Sequence, residues 1–139
     1  MSYLLDTNLL SEWRKPRPNS GVLRWLRGVY EDELHISAAS VAEIAFGVER
    51  LPSGKRRDEI GAWLQRDVIE RFGERLIAFD HQIATGWGRV MAQCAAAGAP
   101  ISSMDAIIAA TALTRGHTLI TRNIADFAAS GASLHNPWS

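Results

Sequence analysis

The sequence predicts an α/β protein with a central, mostly parallel sheet of four to five strands, covered by helices on both faces. Short apolar segments alternate along the chain with longer segments of helical spacing. The apolar segments are mostly unbroken rather than alternating with polar residues, which is typical of parallel strands buried on both faces. The 139 residues contain no repeat, linker or low-complexity segment, so we expect one domain spanning residues 1–139.

Four short segments and a fifth, weaker one predict the strands of this sheet. They cover residues 3–5, 34–37, 76–79, 118–121 and 133–135. The last segment is expected to be an edge strand, because a proline-containing tail follows it directly.

Helices are predicted in the intervals between the strands. They cover residues 9–13, 22–30, 38–51, 56–72, 83–97, 104–114 and 124–129. Their ends carry the usual signals: Asn19 or Ser20 and Ser103 are candidate N-caps, and Gly73 and Gly116 follow the last turn of a helix.

The charge balance argues against a protein that binds nucleic acid through bulk electrostatics, because 15 basic residues offset 15 acidic residues. The balance can still be uneven in space. If several carboxylates gather in one pocket, the remaining surface is basic. The basic clusters at residues 14–17 and 55–57 are then available to a phosphate backbone, unless they are only solvated loop or helix ends.

The cysteine count and the N-terminal segment favour a cytoplasmic protein. The lone cysteine, Cys94, excludes an intrachain disulfide and is expected to be a small core residue, which fits a reducing compartment. The N-terminus lacks the basic region of a signal peptide, and no segment approaches the roughly 20 apolar residues of a membrane span.

Acidic residues are predicted to converge at one edge of the sheet. In open parallel sheets, ligands bind outside the carboxyl ends of the strands. Asp6 follows the first strand and Asp126 follows the fourth. Glu43 lies in the helix after the second strand, and Asp105 lies in the first turn of a later helix.

Such a set of carboxylates suits a divalent cation, because like charges a few Å apart repel one another and a cation relieves the repulsion. Mg²⁺ or Mn²⁺ prefers oxygen ligands and can activate a water for attack on a phosphodiester. The sequence has no histidine–cysteine cluster for zinc and no glycine-rich phosphate-binding loop. It therefore predicts metal-assisted hydrolysis of phosphate esters.

Each acid also has a purely structural interpretation. Asp6 could cap a turn or a helix. Glu43 completes a capping-box spacing with Ser40, although Ser37 is an equally good cap and would leave Glu43 inside the helix.

The later acids have similar alternatives. Asp105 is also electrostatically favoured in the first turn of a helix, and Asp126 fits an ordinary loop followed by a cap. For Asp80, which also follows a strand, the interpretation as an N-cap is the favoured one. The four histidines are scattered, and we interpret them as structural or surface residues.

Four motifs, in order along nearly the whole chain, carry a family resemblance. They are LLDTN at 4–8, SVAEIAFG at 40–47, DAIIAATA at 105–112 and LITRN-x-x-DF at 119–127. Together they resemble the PIN-domain ribonucleases and, more narrowly, the VapC-type toxins of bacterial type II toxin–antitoxin pairs. The resemblance implies a three-layer α/β/α PIN-like fold and Mg²⁺- or Mn²⁺-dependent cleavage of RNA.

The resemblance also implies roles for particular residues and for partners. Asp6 and Asp105 match the family's metal ligands, Glu43 and Asp126 match its other two acids, and Asn8, Thr121 and Asn123 match its supporting polar residues. A metal-activated water would leave a 5′-phosphate and a 3′-hydroxyl. The family further implies a homodimer and a cognate antitoxin that blocks the acidic pocket.

Other functions remain open at this point. A haloacid-dehalogenase-like phosphatase also places an aspartate after its first strand, but it needs a second aspartate where this chain has Asn8. A receiver-like domain would need a lysine after a late strand. A non-catalytic PIN domain that serves as a binding module is the third alternative, against which the presence of all four acids argues.

Overall fold

Backbone hydrogen bonds join the apolar segments into one sheet in which every pair of neighbouring strands is parallel. The computed structural model describes residues 1–139. The strands are β1 (Tyr3–Leu5), β2 (Leu34–Ser37), β3 (Leu76–Ile77), β4 (Thr118–Ile120) and β5 (Leu134–His135), in the spatial order β3-β2-β1-β4-β5. The predicted parallel sheet is confirmed, and β1 lies at its centre.

Helices cover both faces of the sheet, which confirms the predicted three-layer α/β/α fold. They are α1 (Thr7–Arg14), α2 (Ser20–Arg27), α3 (Ala38–Arg50), α4 (Lys55–Trp63), α5 (His81–Ala96), α6 (Ser103–Arg115) and α7 (Ile124–Phe127). After α4, the chain continues as a wider π-helical segment over Leu64–Glu70. None of the helices combines the length and apolarity that a membrane crossing requires.

The sheet divides the apolar core into two clusters, because successive side chains of a strand point to opposite faces. Leu4 and Leu119 belong to the cluster beneath α5 and α6, which also contains the buried Cys94. Leu5 and Ile120 belong to the cluster beneath α1, α2 and the π-helical segment. The unbroken apolar runs are therefore strands that bury both faces, as the sequence predicts.

Helix boundaries differ from the prediction where a side chain caps the backbone. Helix α1 begins earlier than predicted because Asp6 is its N-cap, and Asn19 caps α2. The predicted cap of α6, Ser103, is wrong: the Oγ of Ser102 accepts a hydrogen bond from the N–H of Asp105 and starts the helix one residue sooner.

The third strand is shorter than predicted. Only Leu76–Ile77 pairs with β2, because the N–H of Asp80 donates to the carbonyl of Ala78 at 3.0 Å and turns the chain away from the sheet. Phe79 is consequently 47% exposed. The interpretation of Asp80 as an N-cap is confirmed, since its Oδ1 accepts a hydrogen bond from the N–H of Ile83.

The C-terminal tail docks against the start of α2. The side chain of Asn19 donates to the backbone oxygen of Ser139 at 3.0 Å, and the N–H of Gly21 donates to the hydroxyl of Ser139 at 3.1 Å. A Cβ added at Gly21 would stand 2.4 Å from the backbone oxygen of Pro137. The tail therefore reaches this position only because residue 21 has no side chain.

We expect Gly21→Ala to lower the free energy of unfolding by about 1–3 kcal/mol, because the new methyl group overlaps backbone atoms that cannot rotate away. Gly47→Ala is the matched control. Gly47 lies inside α3 with no atom within 4 Å of an added Cβ, so alanine should stabilise the helix by about 0.5–1 kcal/mol. Urea denaturation of both variants measures the difference, and a Gly21→Ala variant as stable as the parent would contradict the docked tail.

Candidate active site

A cleft of about 410 Å³ opens at the carboxyl edge of β1 and β4. Its wall is polar apart from one aromatic ring, and it contains Asp6, Thr7, Asn8, Ser11, Glu12, Lys15, Glu43, Asp105, Arg122, Asn123 and Trp138. We call it the acidic cleft, because four of these side chains are carboxylates. Its position is the one expected for a ligand site in a parallel sheet.

Asp6 lies at the base of the acidic cleft and is only 5% exposed. The pairing of β1 with β4 places Leu5 beside Ile120, so the next residue of each strand, Asp6 and Thr121, are also neighbours. Thr121 is fully buried and donates its hydroxyl proton to Asp6 Oδ2 at 2.7 Å. The N–H of Thr7 donates to Oδ1 at 2.8 Å, so each carboxylate oxygen is fixed by one hydrogen bond.

Burial raises the pKa of the Asp6 carboxyl from 3.8 to about 6. The hydrogen bonds from Thr121 and Thr7 oppose this rise, and the negative charges of Asp105 and Glu43 add to it. Because one pKa unit is worth about 1.4 kcal/mol, the ionised form of Asp6 costs the folded chain roughly 3 kcal/mol at neutral pH. The cleft therefore favours a species that stabilises this charge.

Glu43 projects from α3 into the acidic cleft. The N-cap of α3 is Ser37, whose hydroxyl accepts a hydrogen bond from the N–H two residues on, so Glu43 is not part of a capping box. The hydroxyl of Thr7 donates to Glu43 Oε1 at 2.8 Å and also lies 2.9 Å from the hydroxyl oxygen of Ser40. Glu43 Oε2 has no protein partner and is free to act in the cleft.

Asp105 and Asp126 occupy different places. Asp105 is half-buried and lines the cleft. Burial raises the pKa of its carboxyl, the Ser102 hydroxyl lowers it, and the negative charge of Asp126 raises it further. Asp126 is exposed and does not line the cleft, although it lies close enough to act on Asp105. The structure thus brings three of the four predicted acids into the cleft and places the fourth just outside it.

The predicted polar residues surround Thr121. Asn8 Nδ2 donates to the Thr121 hydroxyl oxygen at 3.4 Å, and the N–H of Asn123 donates to the same oxygen at 3.0 Å. Both asparagines line the cleft. The Oδ1 of Asn8 is buried and has no hydrogen-bond partner, which is costly unless a ligand or cation meets it.

The donor set fits a hard divalent cation. The acids of the cleft and Asn8 Oδ1 offer only oxygen atoms, which Mg²⁺ and Mn²⁺ prefer. No three histidine, cysteine, aspartate or glutamate side chains stand close enough to form a closed metal cage. Mg²⁺ does not need one, because it retains several waters and is commonly held by one or two carboxylates. Asp6 and Asp105 are the residues that could hold it.

Six residues of the cleft are absent from the predicted site: Thr7, Ser11, Glu12, Lys15, Arg122 and Trp138. Lys15 was predicted only as part of the basic cluster at residues 14–17, and three of the six had a further signal in the sequence. Asn8, Ser11, Glu12 and Lys15 follow the i, i+3, i+4, i+7 spacing of one helix face. Trp138 had no such signal, because its position depends on the docking of the tail.

The fold and the site together define a class: three-layer α/β/α domains with a carboxylate site at the carboxyl edge of a parallel sheet. Residues 3–129 match the family model described as the PIN domain. The chain therefore belongs to the PIN-domain family.

Full-length relatives agree with this assignment. A Sinorhizobium fredii protein named VapC ribonuclease Y4jK is 36% identical over 135 residues, which cover 97% of this chain and 96% of the relative. Toxin FitB of Neisseria gonorrhoeae is 33% identical, with 97% of each chain covered. The crystal structure of FitAcB from Neisseria gonorrhoeae contains a similar chain, with a TM-score of 0.89, 33% identity and 98% of both chains covered.

We expect Asp6→Asn to stabilise the metal-free chain at pH 8 by about 1–2 kcal/mol, because it removes a desolvated charge while losing one acceptor. The folded chain holds a proton on Asp6 up to about pH 6 and the unfolded chain only to 3.8. The contribution of Asp6 to the parent's stability is thus fully present below pH 3.8 and is lost as the pH rises through about 6. The gain should consequently vanish near pH 4.

Urea denaturation in the presence of a chelator, repeated from pH 4 to pH 8, measures this difference. A variant that is less stable than its parent at pH 8 would show that the Asp6 charge is not a cost to the fold.

Proposed function

We propose that this chain is a Mg²⁺- or Mn²⁺-dependent endoribonuclease that acts in the cytoplasm as the toxin of a type II toxin–antitoxin pair. Residues 1–139 would form its single nuclease domain. The observation that carries the proposal is the meeting of Asp6, Glu43 and Asp105 in one cleft, with the unpaired Asn8 Oδ1 beside them. The relatives named VapC ribonuclease and toxin FitB support the substrate class and the toxin role.

Asp6 and Asp105 are the proposed metal ligands, with Asn8 beside them. A bound divalent ion would supply the charge that lowers the pKa of an attacking water and neutralises the phosphodiester. Thr121 keeps Asp6 Oδ2 in one orientation, so that the carboxylate needs little rearrangement to bind a cation. The N–H of Asn123 donates to the hydroxyl oxygen of Thr121, which keeps Asn123 close to Asp6.

Glu43 is the proposed acceptor of the water's proton. Thr7 fixes its Oε1, which leaves Oε2 to take the proton as the water oxygen attacks phosphorus. The bond from phosphorus to the 3′-oxygen then breaks, and that oxygen takes a proton from solvent. The products are a 5′-phosphate and a 3′-hydroxyl. Asp126 would act from outside the cleft through its charge on Asp105.

Partners follow from the family resemblance rather than from the isolated chain. We propose a cognate antitoxin that occludes the acidic cleft with a basic side chain, and a homodimer of the toxin. An acid-lined cleft is complementary to such a side chain, because a cation relieves the repulsion between Asp6 and its acidic neighbours.

The phosphatase alternative loses support in the structure. It requires an acid two residues after Asp6, and the residue there is Asn8, whose amide is already engaged with Thr121. An amide N–H can donate a hydrogen bond, but it is far too weak an acid to protonate a leaving group.

We expect Asp6→Asn and Asp105→Asn each to reduce Mg²⁺-dependent cleavage of RNA by at least about 100-fold, because each removes a charge that would hold the ion. Asp80→Asn is the matched control: Asp80 also follows a strand but caps α5 outside the cleft, so its cleavage rate should equal that of the parent. Gel assays with a labelled RNA, with circular dichroism to verify folding, measure the effect. Unchanged cleavage in both cleft variants would remove the nuclease assignment.

We also expect induced expression of the parent chain to arrest bacterial growth, and the Asp105→Asn chain to permit growth. If a short reading frame lies immediately upstream of this gene, co-expression of its product should restore growth. Growth curves with matched protein levels on immunoblots measure the effect. Normal growth with the active chain would contradict the toxin role while leaving the nuclease assignment intact.

A further inference from the structure

One aromatic ring, Trp138, lies in the otherwise polar wall of the acidic cleft. The same side chain packs against the apolar cluster beneath α1 and α2. It is therefore partly buried, with part of its ring held by the core and part facing the cleft. The established features of the site, which are carboxylates and their supports, do not account for a tryptophan here.

Trp138 is held in place from several directions. Its indole Nε1–H points to Glu12 Oε1 at 3.4 Å, and its backbone N–H donates to Asn136 Oδ1 at 2.9 Å. The next residue, Ser139, is bonded to Asn19 and Gly21 at the start of α2. The ring is thus fixed before any ligand arrives, which lowers the entropy cost of binding.

Glu12 accepts hydrogen bonds from both the Trp138 indole and the Lys15 ammonium group. It is only 7% exposed, and it accepts hydrogen bonds from Lys15 Nζ at 3.0 Å and from the N–H of Asn19 at 2.9 Å. These two bonds, in that order, hold the pKa of the Glu12 carboxyl below its usual value. Lys15 remains 57% exposed and has further N–H donors to offer. An aromatic ring and an ammonium group therefore stand together at one side of the cleft.

We propose that Trp138 and Lys15 form a nucleotide subsite beside the acidic centre, in which an unstacked base contacts the Trp138 ring and its phosphate contacts Lys15. The proposal rests on the proposed function and specifies its substrate as single-stranded RNA. Aromatic rings bind bases of single strands by stacking, because every base presents a flat face. A base inside a duplex has both faces covered and cannot reach the ring. Glu12 is the positioning residue that holds both groups.

The subsite is tested by RNA binding in an Asp6→Asn background. The probe is a labelled single-stranded oligoribonucleotide of mixed sequence, and fluorescence anisotropy in Mg²⁺ buffer gives its Kd. Trp138→Leu should weaken binding by about 5- to 150-fold, the range of one base–aromatic stack. Trp138→Phe keeps an aromatic ring and should stay within about 3-fold of the parent. The same RNA annealed to its complement should bind weakly to all variants.

Trp25→Leu is the matched control, since Trp25 packs edge-on against Tyr3 at 5.1 Å and does not line the cleft. Its Kd should equal that of the Asp6→Asn chain without a second substitution. The subsite is overturned if Trp138→Leu leaves the Kd of that chain unchanged or if that chain binds no RNA. It is also overturned if Trp138→Leu and Trp138→Phe weaken binding equally. Equal weakening of RNA binding by both substitutions would show that Trp138 acts by holding the C-terminal tail in place and not by stacking on a base. Failure of the nuclease assignment is detected separately, as Mg²⁺-dependent cleavage that is unchanged in both Asp6→Asn and Asp105→Asn.

Discussion

The structure is organised around one unfavourable constraint, the near-complete burial of the Asp6 carboxylate at the end of the central strand. Burial raises the pKa of this group to about 6, so at neutral pH the fold holds a charge that it solvates poorly. The same carboxylate caps α1 and accepts a bond from Thr121 on the neighbouring strand. The parallel register of β1 and β4 is what brings these groups together. A site that is costly when empty of cations is well prepared to bind one.

The cleft draws its side chains from several elements. Helices α3 and α6 supply Glu43 and Asp105. Helix α1 supplies the support of Glu43 and, with the tail, the residues of the proposed nucleotide subsite. Glu12 is an acid of a different kind from the others: its partners lower its pKa, whereas burial raises that of Asp6 and Asp105. The Glu12 charge is therefore stabilised by groups of the protein itself, whereas the charges of Asp6 and Asp105 would be stabilised by a bound cation.

The sequence was sufficient for the sheet and for the acids at the centre of the cleft, because both depend on local patterns. Unbroken apolar runs identified the strands. An acid after a strand, an acid in a first turn and an acid inside an otherwise apolar helix segment identified Asp6, Asp105 and Glu43 as residues of the cleft. The errors arose where contacts between distant or neighbouring groups, rather than local spacing, determine the end of an element or the position of a side chain. The turn at Asp80 shortens β3, Ser102 rather than Ser103 reaches the N–H of Asp105, and the docked tail brings Trp138 into the cleft. The spacing of residues along the sequence does not predict any of these contacts.

The central claim is that a divalent cation compensates the cost of the Asp6 charge, and thermal unfolding with and without Mn²⁺ at pH 8 tests it most directly. In chelator, the Asp6→Asn chain should melt above the parent. In Mn²⁺, the order should reverse, because binding to the folded parent alone raises its melting temperature. The Asp80→Asn chain loses its ion pair with Arg115, but Mn²⁺ should raise its melting temperature by as much as it raises the parent's. An equal rise in melting temperature for the parent and Asp6→Asn, or no rise for either, would contradict the account.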